Sequence, residues 1–309
     1  MIVVFGSLNI DLVMPVHHFP KPGETVLCST DYLSRPGGKG SNQAVAAARA
    51  GAKVAMVGKV GDDSFGRRCV NNLKNQSVWA AGIGISERPT GCATIAVDMQ
   101  GANIVMVAPG ANLDATSDQV PDEVFNSDNI VLAQLETSAK ETFSVLARAH
   151  QKKTPTILNA SPVHMLPAEA LRVVNYLIVN ELEGRQLAHN IGIVGSDPRQ
   201  LARDMAVKHG LHVIITMEAK GALAAMPDGA LYHIKALPVE VVDTTGAGDA
   251  FCGIFAACLQ KKQTIQQALH SASVGASLSC LGLGAQAGMP FEDDIRASLD
   301  KIDPPQKIA

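Results

Sequence analysis

VDTTGAGDAFCGIFAACL, residues 242–259, changes character twice within a short span. It leaves a β-branched run (Val239, Val241, Val242), passes through Gly246-Ala247-Gly248 and enters an apolar segment. There Phe251, Ile254, Phe255 and Cys258 recur at spacings of three and four, which places them on one helical face. The two glycines let the backbone turn tightly and approach a bound group. A helix starting just after them has unpaired N–H groups and the positive end of its dipole there, which suits an anion such as phosphate.

Asp249 stands at the same helix start, where a carboxylate and an anion would repel. Two readings are open. As a cap, Asp249 would stabilise the helix by about 1 kcal/mol and do nothing else. As a base, it would take the proton of a substrate hydroxyl while the amides of Ala247, Gly248 and their neighbours hold a transferring phosphoryl group. Phosphoryl transfer needs mainly positioning, charge stabilisation and one group that orients the nucleophile.

Upstream, strand and helix patterns alternate. Apolar runs at 2–5, 54–60, 130–135, 156–158, 176–179 and 213–216 read as strands. Helical patterns lie at 44–50, from a cap at Asp63 or Ser64 through 73, at 139–150, at about 167–174, and at 197–209 with Pro198 in its first turn. This alternation predicts an α/β fold: a doubly wound, mostly parallel sheet covered on both faces, with ligands at the carboxyl ends of the strands. Segments 80–85, 91–97 and 104–107 read as further strands, with a turn at Gln100-Gly101. So does 26–32, inside an irregular proline-rich stretch. A hairpin is expected over 223–226 and 230–234, around Pro227-Asp228-Gly229. Helices are expected near 265–280 and 293–302, and the tail 304–309 reads as frayed.

Polar residues punctuate this pattern. Asn9 and Asp11 share one face just after the first strand, where they can hold sugar hydroxyls or form an Asx turn. Gly37-Gly38-Lys39-Gly40-Ser41-Asn42-Gln43 opens a helix but is not a P-loop, because Lys39 lies among the glycines. Its N–H groups, with Lys39 and Asn42, can cradle phosphate or grip a small polar ligand. Glu136, Asn159, Asn180 and Glu183 lie at or just beyond strand ends, where several converging polar groups form a site hypothesis. Glu183 alone also reads as a first-turn glutamate favoured by the helix dipole.

The 309 residues are 47% hydrophobic and 18% charged, ample for a large core. A net charge of −3 without a basic block argues against nucleic-acid binding. No apolar run is long enough to span a bilayer, and the N-terminus reads as a strand and not a signal peptide. The six cysteines form no Cys-x-x-Cys and no zinc-like spacing with histidine, so reduced thiols in a cytoplasmic protein are expected.

DTTGAGDAF resembles the C-terminal signature of the ribokinase-like sugar and nucleoside kinases, the phosphofructokinase-B family. PKPGET (20–25) followed by PGGKGSNQAVAAARAG (36–51) resembles the family's N-terminal signature, in the family's order and separation. GDDSFG (61–66) and the segment 108–112 resemble further pieces, so the resemblance covers essentially the whole chain. It implies a single ribokinase-like kinase domain over 1–309, with a small β-sheet lid from about 12–36 and 88–108 that pairs with a second copy in a homodimer. It makes Asp249 the catalytic base and Gly246, Ala247 and Gly248 the anion hole. It places the sugar on Asn9, Asp11, Gly38, Lys39, Asn42, Glu136 and Asp249. It puts ATP near Asn180, Thr216, Gly221 and Gly246–Gly248, with adenine bordered by 271–284. Asn180 and Glu183 match an Asn-x-x-Glu motif in which Glu183 organises Mg²⁺ indirectly. A monovalent cation, usually K⁺, would be held by Asp243 and Thr245 with backbone groups of Ser279, Gly282, Gly284 and Gly288, although Asp243 can equally cap a turn.

Two departures stand out. Met217-Glu218 replaces the family's usual Leu-Gly, and a glutamate aimed at phosphates would oppose them. Val179 stands where proline is common. The implied activity is ATP-dependent phosphorylation of a primary hydroxyl, with D-ribose as the leading acceptor. Another sugar or a nucleoside is the alternative within the fold, and an aromatic content of 4% argues mildly against a nucleobase pocket. A sugar-binding regulator without catalysis is an alternative of another class, favoured only by Glu218. A nicotinamide-dependent oxidoreductase lacks its Gly-x-Gly-x-x-Gly turn after the first strand.

Overall fold

The computed structural model describes residues 1–163 and 168–308. In chain order its elements are β1 (Ile2–Phe5), β2 (Asn9–Pro15), β3 (Leu33–Gly37), α1 (Lys39–Arg49), β4 (Val54–Gly61), α2 (Ser64–Asn75), β5 (Trp79–Ser86), β6 (Gly91–Val97), β7 (Asn103–Ala108), β8 (Ile130–Ala133), α3 (Ala139–Gln151), β9 (Thr156–Asn159), β10 (Tyr176–Asn180), α4 (Glu181–Asn190), α5 (Pro198–His209), β11 (His212–Thr216), β12 (Ala222–Ala225), β13 (Leu231–Ile234), α6 (Ala247–Gln260), α7 (Ile265–Ser279), α8 (Glu292–Arg296) and β14 (Gln306–Lys307).

Ten strands form one sheet in the order β14-β13-β12-β11-β10-β9-β8-β1-β4-β5. From β11 to β5 every pairing is parallel, and β12, β13 and β14 add an antiparallel edge. β1 is buried throughout, as a continuous apolar run in a parallel sheet demands. Its alternation divides the core. Ile2 and Val4 join the cluster under α1, α6 and α7, while Val3 and Phe5 join the cluster under α3, α4 and α5. Helices therefore cover both faces, as expected. A second sheet of four strands, in the order β3-β2-β6-β7, is separate. β2 carries the chain out of the central strand into it, and β7 is exposed along its whole length.

Several boundaries differ from the sequence expectation. No strand forms over 26–32, which is almost entirely exposed. The strand is β3, whose register against β2 sets Asn9 opposite Gly37 and Asp11 opposite Arg35. The strand expected over 80–85 is β5, the far edge of the large sheet, paired parallel to β4. α1 begins at Lys39, well before 44, because Gly40 lets its first turn lie on the Gly6–Ser7 backbone, where a Cβ would fall 2.6 Å from Ser7 N. The 293–302 helix is broken into α8 and a 3₁₀ turn at Leu299–Lys301. The tail is not frayed, since Gln306 and Lys307 pair with β13. The helix expected from 167 is a 3₁₀ helix at Ala168–Val173, and Pro167 lies outside the described residues.

Candidate active site

α6 begins where the chain turns through Gly246 at φ 80°, packed so closely on Ala285 that a Cβ would sit 2.7 Å from that residue's Cβ. Two residues on, Gly248 is different. A Cβ there would meet nothing within 4 Å. The helix begins at Ala247, whose N–H donates to the Thr244 carbonyl at 3.1 Å, so of the expected anion-hole residues Gly246 and Gly248 line the open space and Ala247 does not. A cavity of about 120 Å³ occupies this space, lined among others by Lys39, Asn180, Glu183, Thr216, Gly246, Gly248 and Asp249. These residues, all expected at the site from the sequence, come from α1, β10, α4, β11, α6 and the turn before α6. Asn159, Ser161 and Cys252 also line it.

Asp249 is 7% exposed. Asn42 Nδ2 donates to its Oδ2 at 2.9 Å and Gln43 Nε2 to its Oδ1 at 2.9 Å, so the first turns of α1 and α6 meet at this carboxylate. Lys39 lies beside it. Burial alone would lower the Lys39 pKa, but Asp249, Glu136 and Glu183 outweigh it and the pKa is raised, so the side chain is an ammonium at neutral pH.

The small sheet brings Asn9 and Asp11 to the same region, and the turn after β8 brings Glu136. Glu136 Oε2 accepts the Ser7 hydroxyl at 2.6 Å and the Lys39 main-chain N–H at 3.0 Å, tying the end of β1 to the start of α1. Gly38, at φ 88°, lets the chain pass Asn9, where a Cβ would come within 2.8 Å of Asn9 N. The Asp11 carboxyl folds over Gly37, where a Cβ would meet it at 2.0 Å. Burial, then the charges of Glu136 and Asp249, push Asp11 up to about 7. Asn9 is held by a residue not nominated as a site member. Asn112 Nδ2 donates to Asn9 Oδ1 at 2.7 Å, and Asn112 Oδ1 accepts Leu8 N–H at 2.8 Å. Ser7, Gln43 and Asn112 were thus missed as site members. Gln43 and Asn112 stood inside quoted motifs, but nothing local marked them.

Asn180 and Glu183 make a reciprocal capping box. Asn180 Oδ1 accepts Glu183 N–H at 2.8 Å and Glu183 Oε2 accepts Asn180 N–H at 3.0 Å. Cap and cavity residue are therefore one and the same, and Glu183 Oε1 is left over. No group of three or more His, Cys, Asp or Glu side chains able to hold a metal occurs among the described residues. Two carboxylates at the cavity, Glu183 and Asp249, without a third fit Mg²⁺ that keeps its waters, and not a stripped ion.

The cation-loop residues gather in one knot. Asp243 Oδ1 accepts Thr245 N–H at 2.9 Å and its Oδ2 accepts Gly284 N–H at 2.7 Å. The N–H groups of Val242 and Asp243 both donate to the Cys280 carbonyl. Burial works against ionising Asp243, but donation from Thr245 and Gly284 and the Arg35 charge win, and its pKa is lowered. The carbonyls of Ser279 and Gly282 face the side-chain position of Gly288, 2.2 and 3.3 Å from where its Cβ would be. A carboxylate and carbonyl oxygens are the donor types that suit a hard monovalent cation, although both Asp243 oxygens already accept N–H groups. Arg35, from the small sheet, donates to the Leu283 carbonyl in the same knot.

Gly221 does not line the cavity. It turns the chain from β11 into β12 at φ 88°, where a Cβ would strike Ile234 O at 1.9 Å. Glu218 is exposed, in left-handed backbone at φ 52°, and also lies outside the cavity lining, so its charge is not turned inward.

The family model for pfkB family carbohydrate kinases matches residues 1–292. A ribokinase of Bacillus subtilis is 37% identical over 301 residues, covering 96% of this chain and 99% of the relative. Among solved structures, a ribokinase from Thermotoga maritima superposes with a TM-score of 0.89 at 30% identity, covering 97% of this chain and 99% of that one. An Arabidopsis thaliana ribokinase complexed with ribose and ATP superposes with a TM-score of 0.86 at 28% identity, covering 96% and 98%. The fold, the glycine turn at the start of α6 and matches spanning nearly the whole chain agree, and this chain belongs to the pfkB family of carbohydrate kinases.

Proposed function

We propose that this ATP-dependent carbohydrate kinase transfers the γ-phosphoryl group of ATP to the primary hydroxyl of D-ribose, giving D-ribose 5-phosphate and ADP. The observation that carries the reading is Asp249, buried at the start of α6 beside an open anion-binding turn and held by α1. In the reaction the sugar oxygen attacks the γ-phosphorus in line. Its proton passes to Asp249, and the bond to the bridging oxygen breaks with its electron pair leaving on ADP. The amides of Gly246 and Gly248 stabilise the equatorial oxygens, and the Lys39 ammonium adds charge beside them. Asn9, Asp11, Gly38, Asn42 and Glu136 hold the sugar, with Asn112 fixing which end of the Asn9 amide faces it. Asn180, Thr216 and Gly221 border the nucleotide. Glu183 would hold Mg²⁺ through water, where the ion would supply charge neutralisation at the phosphates, and Asp243 with the carbonyls of Ser279 and Gly282 would hold K⁺ beside the turn that enters α6.

In this reading the small sheet is a lid that excludes water from the transfer. Its exposed apolar strand, with Ile104, Val105, Met106 and Val107, pairs with a second copy. The protein acts in the cytoplasm; no described helix is long and apolar enough to cross a membrane. The test is ATP consumption over a panel of sugars and nucleosides with Mg²⁺, with and without K⁺, for wild type and Asp249→Asn. Turnover on ribose, lost by about 10³-fold or more in the mutant, is expected for removal of the base. Turnover on another acceptor alone would replace the substrate and keep the mechanism. Sugar binding without any turnover would favour a regulator.

A further inference from the structure

Two chains of side-chain amides converge on Asp249. On one side Gln43 Nε2 donates to Asp249 Oδ1 at 2.9 Å and also to Asn159 Oδ1 at 3.0 Å, while Gln43 Oε1 accepts Gln134 Nε2 at 2.6 Å. On the other, Asn42 donates to Asp249 Oδ2, Gln286 Nε2 donates to Asn42 Oδ1 at 3.0 Å, and Asn72 Nδ2 donates to Gln286 Oε1 at 2.7 Å. The direction of the first chain is fixed by the sheet. Asn159 Nδ2 donates to the Ile178 main-chain carbonyl at 3.0 Å, so the Asn159 oxygen must face Gln43. Gln43 can then offer only its nitrogen to Asn159 and Asp249, and only its oxygen to Gln134. Gln43 and Gln134 are both fully buried. Buried bonds of this kind are costly to leave unmade.

We propose that Gln43 is a positioning residue for phosphoryl transfer: braced by Asn159 and Gln134, it holds one oxygen of the Asp249 carboxylate so that the unused lone pairs of Asp249 face the cavity. A carboxylate has about four lone-pair sites, of which the two amide donors occupy one on each oxygen. The rest are available to the substrate hydroxyl. The inference rests on Asp249 being the base. The charged and titratable groups around that carboxylate are Lys39 and Cys252, with Asp11, Glu136 and Glu183 farther out. The neutral amide therefore fixes the carboxylate without adding charge to a crowded site.

Gln43→Leu would leave Asp249 Oδ1 and Asn159 Oδ1 facing each other without the donor between them. Gln43→Glu keeps the shape, but it can donate only while protonated and repels Asp249 once ionised. Steady-state kinetics from pH 5.5 to 9 on the whole enzyme, with folding checked by thermal unfolding and sugar binding by calorimetry, separates these effects. Gln43→Leu is expected to lower kcat by about 10- to 100-fold, the usual cost of a misplaced reacting group, with the sugar KM within about threefold of wild type. Gln43→Glu is expected to lose kcat relative to wild type increasingly as pH rises, while its sugar KM stays near wild type. A structural role alone would move stability and KM with it. If Gln43→Leu does not fold, the isosteric Gln43→Glu carries the test. Wild-type kcat and pH profile in Gln43→Glu, with Asp249→Asn inactive, would overturn the role of Gln43 and leave the base in place. Full turnover in Asp249→Asn would overturn both.

Discussion

Asp11 is an acid whose chemistry differs from what its letter suggests. It keeps a proton in the folded protein up to about pH 7, whereas the unfolded chain loses it near 3.8. Stability from this group is therefore greatest in acid and falls as pH rises through that window, reaching a cost on the order of 2–4 kcal/mol above pH 7. Asp11→Asn should stabilise the unliganded enzyme by that order at pH 8 and by little at pH 4, as read by denaturant unfolding at both pH values. Equal stabilisation at both would sink the assignment. The same crowding of Asp11, Glu136 and Asp249 explains why an ammonium, Lys39, sits among them. The spacing of Asn9 and Asp11 put both at a ligand face. It could not show that Asn112, a hundred residues on, already occupies one end of Asn9, because that bond is made by tertiary folding alone.

Among elements, the start of α6 separates two glycines that look alike in sequence. Gly246 is required by the fold, with its positive φ and its contact on Ala285, and Gly246→Ala should cost about 1–3 kcal/mol of stability. Gly248 is helical and faces open space, so Gly248→Ala should hold or raise stability by up to about 1 kcal/mol. Its methyl group would enter the space assigned to the phosphoryl group and lower kcat/KM at least tenfold. Thermal unfolding beside kinetics on both variants checks this, and a Gly248→Ala enzyme of full activity would remove the phosphate from that turn. Elements with strong local signals were legible: the buried run of β1, the Asp197-Pro198 start of α5, the hairpin of β12 and β13. β3 was not. Its position follows from pairing with β2, and its own residues, with a proline and a glycine among them, carry little strand propensity. The tail escaped for the same reason, since β14 owes its shape to the edge of β13.

For the whole molecule, the large sheet is closed off by helices while the small one leaves a row of apolar side chains on β7 in water. An unpaired apolar edge of this kind invites a partner strand. Sedimentation of the purified enzyme should give twice the mass of one chain, and Val105→Lys with Met106→Glu should return it to one chain without unfolding it. A wild-type monomer at micromolar concentration would count against pairing through this sheet. The meeting of α1 and α6 at one carboxylate has a consequence for biosynthesis. The amides that grip Asp249 leave the ribosome some two hundred residues before it does. A chain cut short in between has its donors assembled with nothing to hold, and catalytic competence arrives only when the last third of the polypeptide closes back onto the first. Such long-range closure is slow compared with local helix formation. Activity therefore cannot precede synthesis of α6.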